Sequence, residues 1–272
     1  MHKVIRARSG LSSLSLEELW LYRELVFFFA WRDLLVRYKQ TVIGVTWAFI
    51  RPFLTTVVLT IIFGRIAKLP AGELPYPVIA LAGVLPWTLF ANAFSDSSNS
   101  VVGNSQLVSR VYFPRLILPI SAVVPSIVDT LVTMIMLAAL LIWYRVPVSA
   151  TIVWIPLILL LCIGVALAAG IWSAALFVRY RDVRHLLPFI VQIGLYLSPV
   201  GFASSVVPER WRLLYSLNPM VGVIDGFRWA LFGGRNPLYL PGLMISIALT
   251  VVALTAALYY FRSTERMFAD VI

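Results

Sequence analysis

The sequence predicts an all-α, polytopic membrane protein: six transmembrane helices, an amphipathic interface helix at the N-terminal side, and short re-entrant helices near the periplasmic face. Three observations lead there. Hydrophobic residues make up 61% of the 272 residues and charged residues 12%, about half the charged share of a soluble domain. Six apolar runs approach or exceed the ~20 helical residues that cross a hydrocarbon core. The basic residues are dispersed, almost all of them between those runs. They therefore set topology, and the net charge of +10 does not imply nucleic acid as a partner.

The elements follow in order. Residues 1–14 are basic and polar and read as a cytosolic tail. Ser15 and Glu18 form an S-x-x-E capping box opening a helix that runs to about Lys39. Leu19, Val26, Phe29 and Leu35 interleave there with Glu17, Arg23, Glu24, Arg32 and Arg37, as in a helix lying in the inner membrane interface. Asp33 and Arg37, four apart, are a supporting pair. The apolar stretch Leu25–Trp31 is short and lacks a cleavage site, so no cleavable signal peptide is expected. The six runs are Val42–Gly64, Val78–Ser95, Pro119–Trp143, Ile152–Val178, Leu186–Phe202 and Tyr239–Phe261. The second and fifth are the shortest, and the second can continue as helix through Asp96–Val102.

The organisation is thus a tail with interface helix over 1–40, a six-span domain over 41–262, and a tail over 263–272. Fourteen lysines and arginines fall on the side of the two termini and seven on the other. That bias places both termini in the cytoplasm of a multi-pass inner-membrane protein, as an even number of spans requires. Cys162 is the sole cysteine, so no disulfide forms within the chain.

The fifth connection, Ala203–Leu238, is apolar but broken by Pro208, Pro219, Gly222, Gly226, Gly233, Gly234 and Pro237. Irregular backbone survives at membrane depth only when buried in protein or lining a wet cavity. Two short re-entrant helices satisfy that condition; an amphipathic surface loop is the alternative. The second connection is as unusual. It reads GNSQLVSRVYFPRLILP from Gly103 to Pro119. Arg110 and Arg115 bracket Tyr112 and Phe113, and Pro114 would end or kink a short helix. Apolar anchors with a basic rim suit a groove on a soluble partner. The same composition also fits an ordinary cytosolic loop.

VYFPRLILP resembles the cytosolic coupling segment of type-2 ABC exporter permeases for polysaccharide or polyol phosphate: O-antigen, capsule or teichoic acid. RYKQTVIGVTWAFIRP (Arg37–Pro52), RDVRHLLPFIVQIGLYLSP (Arg181–Pro199) and LNPMVGVIDGFRWALFG (Leu217–Gly233) resemble, in order, the approach to that family's first span, its fourth-to-fifth turn and its outer re-entrant region. The resemblance covers roughly residues 15–265. It implies a homodimeric permease with two copies of a soluble ABC ATPase and a lipid-linked polysaccharide substrate. It further implies ATPase coupling through Gln106, Leu107, Val108, Ser109, Arg110, Val111, Tyr112, Phe113, Pro114 and Arg115. The periplasmic gate would be carried by Pro219, Gly222, Asp225, Gly226, Arg228 and Trp229. Arg181, Asp182 and Arg184 read as positive-inside anchoring or as a second, smaller ATPase contact.

What is missing agrees. The three lysines, Lys3, Lys39 and Lys68, follow His2, Tyr38 and Ala67, so no G-x-x-x-x-G-K-S/T phosphate loop exists in the sequence. No cofactor is expected in this chain; ATP and magnesium belong to the partner. The histidines, His2 and His185, stand in no zinc spacing, and no two acidic residues inside the apolar runs lie near one another. A membrane-embedded lipid or sugar transferase remains the second reading, since acidic residues can meet in space. Arg51, in the first span, is costly there and defaults to function; Asp129 is its candidate partner. Trp87, Phe90, Tyr196 and Phe202 are candidates to line a channel, where aromatic faces let a glycan slide. A phosphate-rich polymer would favour a basic lumen, for which Arg51, Arg228 and Arg235 are the candidates.

Overall fold

The computed structural model describes residues 20–39, 46–68, 74–233 and 238–268. Among them only helices form. They are α1 (Arg23–Lys39), α2 (Thr46–Leu59), α3 (Tyr76–Gly103), α4 (Ser105–Arg110), α5 (Ile117–Ser121) and α6 (Val124–Trp143), followed by α7 (Ile155–Arg179), α8 (Leu186–Leu197), α9 (Glu209–Tyr215), α10 (Pro219–Phe232) and α11 (Leu240–Thr264). Prolines start many of them: Pro77, Pro125, Pro156, Pro219 and Pro241 each occupy the first or second helical position. There the missing N–H costs nothing and φ is already helical.

Five helical stretches are long and apolar enough to cross a membrane: Thr46–Ile66, Tyr76–Gly103, Ile117–Trp143, Ala150–Arg179 and Leu240–Thr264. Thr46–Ile66 joins α2 to a π-helical continuation, Thr60–Ile66. Helix does continue from the second apolar run through Asp96–Val102 to Gly103. The fifth run departs from expectation. It gives α8, twelve residues long, which rises about 18 Å at 1.5 Å per residue. The chain leaves the helix at Ser198, and Val200 and Gly201 already lie against Gly83 and Tyr76, near the start of α3 at the far end of the bundle. Hydropathy sees one long run here, but the backbone breaks in the middle of it. The capping box at Ser15 and Glu18 lies outside the described residues.

The bundle is built around α3. The most apolar window of α3 is 72% buried within the chain, against 17% for Thr46–Ile66. α7 packs along α3 through small residues. A Cβ on Gly170 would sit 2.5 Å from Ser97 Oγ, so only glycine permits that approach. Two cores result. One joins Leu59, α3 residues from Val78 to Leu89, α6, α7 and α10. The other lies at the opposite end. It joins Phe29 of α1, Val101, Val108, Phe113, Leu116, Ile117, the end of α7, and Ala257, Phe261 and Phe268. Both described chain ends and the Gly103–Pro119 segment therefore share one end of the bundle.

Candidate functional site

The Gly103–Pro119 segment is built as an exposed tip on a dedicated core. α4 ends at Arg110, where Val111 turns extended; Pro114 lies four residues beyond that end. Gln106, Ser109, Arg110, Val111 and Tyr112 are exposed, Tyr112 by 80%. Leu107 is half-buried, and Val108 points into the core. Phe113 departs from the anchor expected of it: it is 5% exposed and packs on Phe29 with ring centroids 5.7 Å apart. Tyr112 and Phe113 therefore do not face a partner together: the first is exposed and the second lies in the core. Pro114 and Arg115 are half-buried, and Arg115 also turns inward. Its backbone N–H donates to Glu265 Oε1 at 3.0 Å, and its guanidinium donates to the Glu265 carbonyl.

The Arg181–His185 turn is a 3-10 helix with Asp182 and Arg184 exposed; the Arg181 side chain lies outside the description. Leu187 and Val183 of this stretch share a small cluster with Val102, at the base of the Gly103–Pro119 segment. The two loops thus stand at the same end.

A charged cluster joins α1 to the bundle. Arg37 meets Asp96 Oδ2 at 2.5 Å and Asp129 Oδ2 at 2.8 Å. Tyr38 donates to Asp129, and Ser126 Oγ donates to Asp96 at 3.1 Å. Burial, then the Asp129 carboxylate, push the Tyr38 phenol well above its ordinary range, so it stays a donor. Two expected pairs are corrected. Asp129 takes Arg37, not Arg51, which is exposed and stands 5.9 Å over the Trp47 ring. Asp33 takes its neighbour Arg32 at 2.8 Å, not Arg37. Asp96 and Asp129, the acids a transferase would need, are already held by arginine, tyrosine and serine donors. Their approach was not readable, because Arg37 is 59 residues from one and 92 from the other.

The candidate channel aromatics do not form one surface. Trp87 is 6% exposed, tilted against Phe90 at 5.3 Å and pressed on Gly194. Phe90 is half-buried and stacks on Phe94. Tyr196 is exposed, and Phe202 leans on Phe63 at 6.5 Å. Trp87 is a core residue because α8 lies against that side of α3.

The broken region between α8 and α11 holds the most elaborate polar construction. Asn218 accepts from Met220 N–H and donates to Ser198 Oγ, fixing the start of α10 to the end of α8. At the other end of α10, Thr151 donates to the carbonyl of Ala230, and Ser149 N–H to that of Leu231. Arg228, 1% exposed, reaches back to the carbonyls of Phe202 and Val200 at 2.8 Å and of Ile79 at 3.2 Å. Tyr76 donates to the carbonyl between them, Gly201. Three consecutive carbonyls freed by the chain break are thus satisfied by two side chains, as buried backbone requires. Arg228 is therefore a structural pin and not a lumen charge; Arg235 lies outside the described residues. Asp225, Gly222 and Gly226 are buried beside it, and Trp229 is half-buried. A Cβ on Gly222 would lie 2.3 Å from Ser246 Oγ, so glycine there lets α10 approach α11.

The family profile described as ABC-2 type transporter matches residues 24–232. The chain is similar to an O-antigen export system permease protein RfbA of Klebsiella pneumoniae, 28% identical over 89% of this chain and 92% of the relative. A protein of the same name from Myxococcus xanthus is 27% identical over 94% and 98%. The polysialic acid transport protein KpsM of Escherichia coli is 24% identical over 75% and 79%.

Proposed function

The chain belongs to the ABC-2 type transporter family, and from that premise we propose that it is the channel-forming subunit of an exporter driven by a separate ATPase, moving lipid-linked polysaccharide across the cytoplasmic membrane. The names of its relatives support the substrate class: two export O-antigen and one transports polysialic acid. The chain itself supplies no phosphate loop, since none of its lysines follows a glycine. Work must therefore enter through a protein contact.

The observation that carries the reading is the tip Arg110–Val111–Tyr112, exposed above its own packed core. A membrane protein that merely turned round would not need a core under its loop. Two ATPase subunits would dock here, with the Arg181–His185 turn beside them, on a homodimer of permeases whose termini face the cytoplasm. ATP binding would press the ATPases together and move the tips.

The test separates the two aromatics. Tyr112→Ala, co-expressed with the cognate ATPase, inserts normally but loses most of the co-purified ATPase. Phe113→Ala instead lowers stability by about 3 kcal/mol, as expected for truncating a buried aromatic. Full ATPase recovery and normal export with Tyr112→Ala would refute the docking role.

A further inference from the structure

We propose that Arg115 and Glu265 form a clasp that passes movement of the docking tip to the last membrane helix, α11. The inference rests on the reading above and assigns Arg115 a positioning role within it.

Arg115 stands three residues after Tyr112 but points the other way. It grips Glu265 twice: its backbone N–H donates to Oε1 at 3.0 Å, and its guanidinium donates to the main-chain carbonyl. That carbonyl lies where α11 passes into the 3-10 turn Glu265–Met267. It already accepts the Phe268 backbone N–H, and the guanidinium takes its second lone pair at the negative end of the helix dipole, where a cation is favoured. That guanidinium comes from a residue 150 positions away, which ties two elements that share no local chain.

Apolar contacts back the polar grip. The Arg115 guanidinium stands 6.0 Å from the Phe268 ring. Phe268 is 1% exposed and meets Phe261 of α11 edge-on at 5.2 Å. Phe261, Ala257 and Phe268 share one core with Phe113, Leu116 and Ile117. A push on Tyr112 therefore has two stiff routes. One runs forward through Leu116 and Ile117 into α6; the other runs sideways through Arg115 and Glu265 into α11. Close-packed contacts transmit displacement because they do not compress. α11 in turn lies against α10 at Gly222 and Ser246, so the sideways route ends at the broken region, across the bundle from the tip.

The experiment uses the permease with its ATPase in vesicles, and the permease alone. Arg115→Met keeps an aliphatic stem on Phe268 and deletes the guanidinium. ATPase co-purification and ATP hydrolysis should stay near wild type, while ATP consumed per exported chain rises about ten-fold, the scale of a typical coupling energy. Arg115→Lys, which can still donate to the Glu265 carbonyl, should recover part of that loss. In the permease alone, hydrogen exchange over residues 260–268 should quicken by a similar factor in Arg115→Met. Loss of the ATPase, as in Tyr112→Ala, would make Arg115 a docking residue and overturn the proposal. So would unchanged export per ATP, or unchanged exchange over 260–268. Failure of the wild-type chain to bind any ATPase would instead sink the transport reading, and the exchange measurement would still judge the clasp.

Discussion

Arg37 answers to two carboxylates, and that imbalance orders the effects of its neighbours. Asp129→Asn removes one charge but leaves Asp96 at 2.5 Å. The cluster is not sealed, with side-chain exposures of 17–31%, so its energies are discounted for screening. Loss of one carboxylate should cost about 1 kcal/mol. Arg37→Met is worse, because two carboxylates then face each other without a cation; about 2–3 kcal/mol is expected. Thermal unfolding of the purified chain should rank the variants in that order, and the reverse order would mean that Arg37 is held by something other than these acids. Exchanging Arg51 and Asp129 should rescue nothing, since those two do not meet. Arg228 sits deeper. Arg228→Met would orphan the Val200 and Phe202 carbonyls, since that of Ile79 lies inside α3; at ordinary desolvation penalties this amounts to about 2–5 kcal/mol. That is a large part of a total stability of roughly 5–15 kcal/mol. Arg228→Lys, a single ammonium, cannot reach all three and should lie between. Comparable unfolding temperatures for wild type and Arg228→Met would remove the pin.

At the scale of elements, the sequence announces helices well and their ends poorly. Runs of apolar residues foretold α2, α3, α6, α7 and α11 nearly in place. α8 is shorter than its run because Ser198 leaves the helix and binds Asn218 twenty residues on, which hydropathy does not record. The broken region itself was legible from its prolines and glycines, since such residues at that hydropathy have few ways to exist in a membrane. What was not legible is who satisfies the break: Arg228 reaches carbonyls 26 and 28 residues back in the chain. The docking segment divides likewise. Its exposure at Tyr112 was foreseen, but Phe113 was taken as a second anchor because adjacency in sequence says nothing of opposite faces. Gly222 gives this scale its prediction. Gly222→Val would drive methyls into Ser246, and overpacking costs about 1–3 kcal/mol or more when both sides are backbone-bound helices. Export should fall while ATPase co-purification holds, because the lesion is far from the tip. If the variant exports normally, α10 and α11 need not pack this closely in the working state.

The whole molecule raises the question of where a polymer passes. The centre of the described bundle is α3, and its surroundings are filled: Leu81, Leu85, Leu89 and Phe227 are each 0–2% exposed. Interiors packed to that degree hold few voids larger than a water molecule, so the core around α3 offers a glycan no path. One hollow, about 350 Å³, is lined by Val165, Ala168, Trp172, Leu249 and their neighbours. Those are hydrocarbon surfaces, suited to lipid tails and not to sugars. If this family member exports a polymer, the lumen must lie between copies. A two-fold arrangement is the most economical, because one surface then serves both walls. Two differently tagged copies expressed together should therefore recover each other from detergent in equal amounts. A mixed pair, wild type with Tyr112→Ala, should bind about half as much ATPase as the wild-type pair, since each copy carries its own tip. Recovery of single copies that nevertheless sustain ATP-dependent export would place the path inside the bundle after all, and α3 would then have to move out of the core it now occupies.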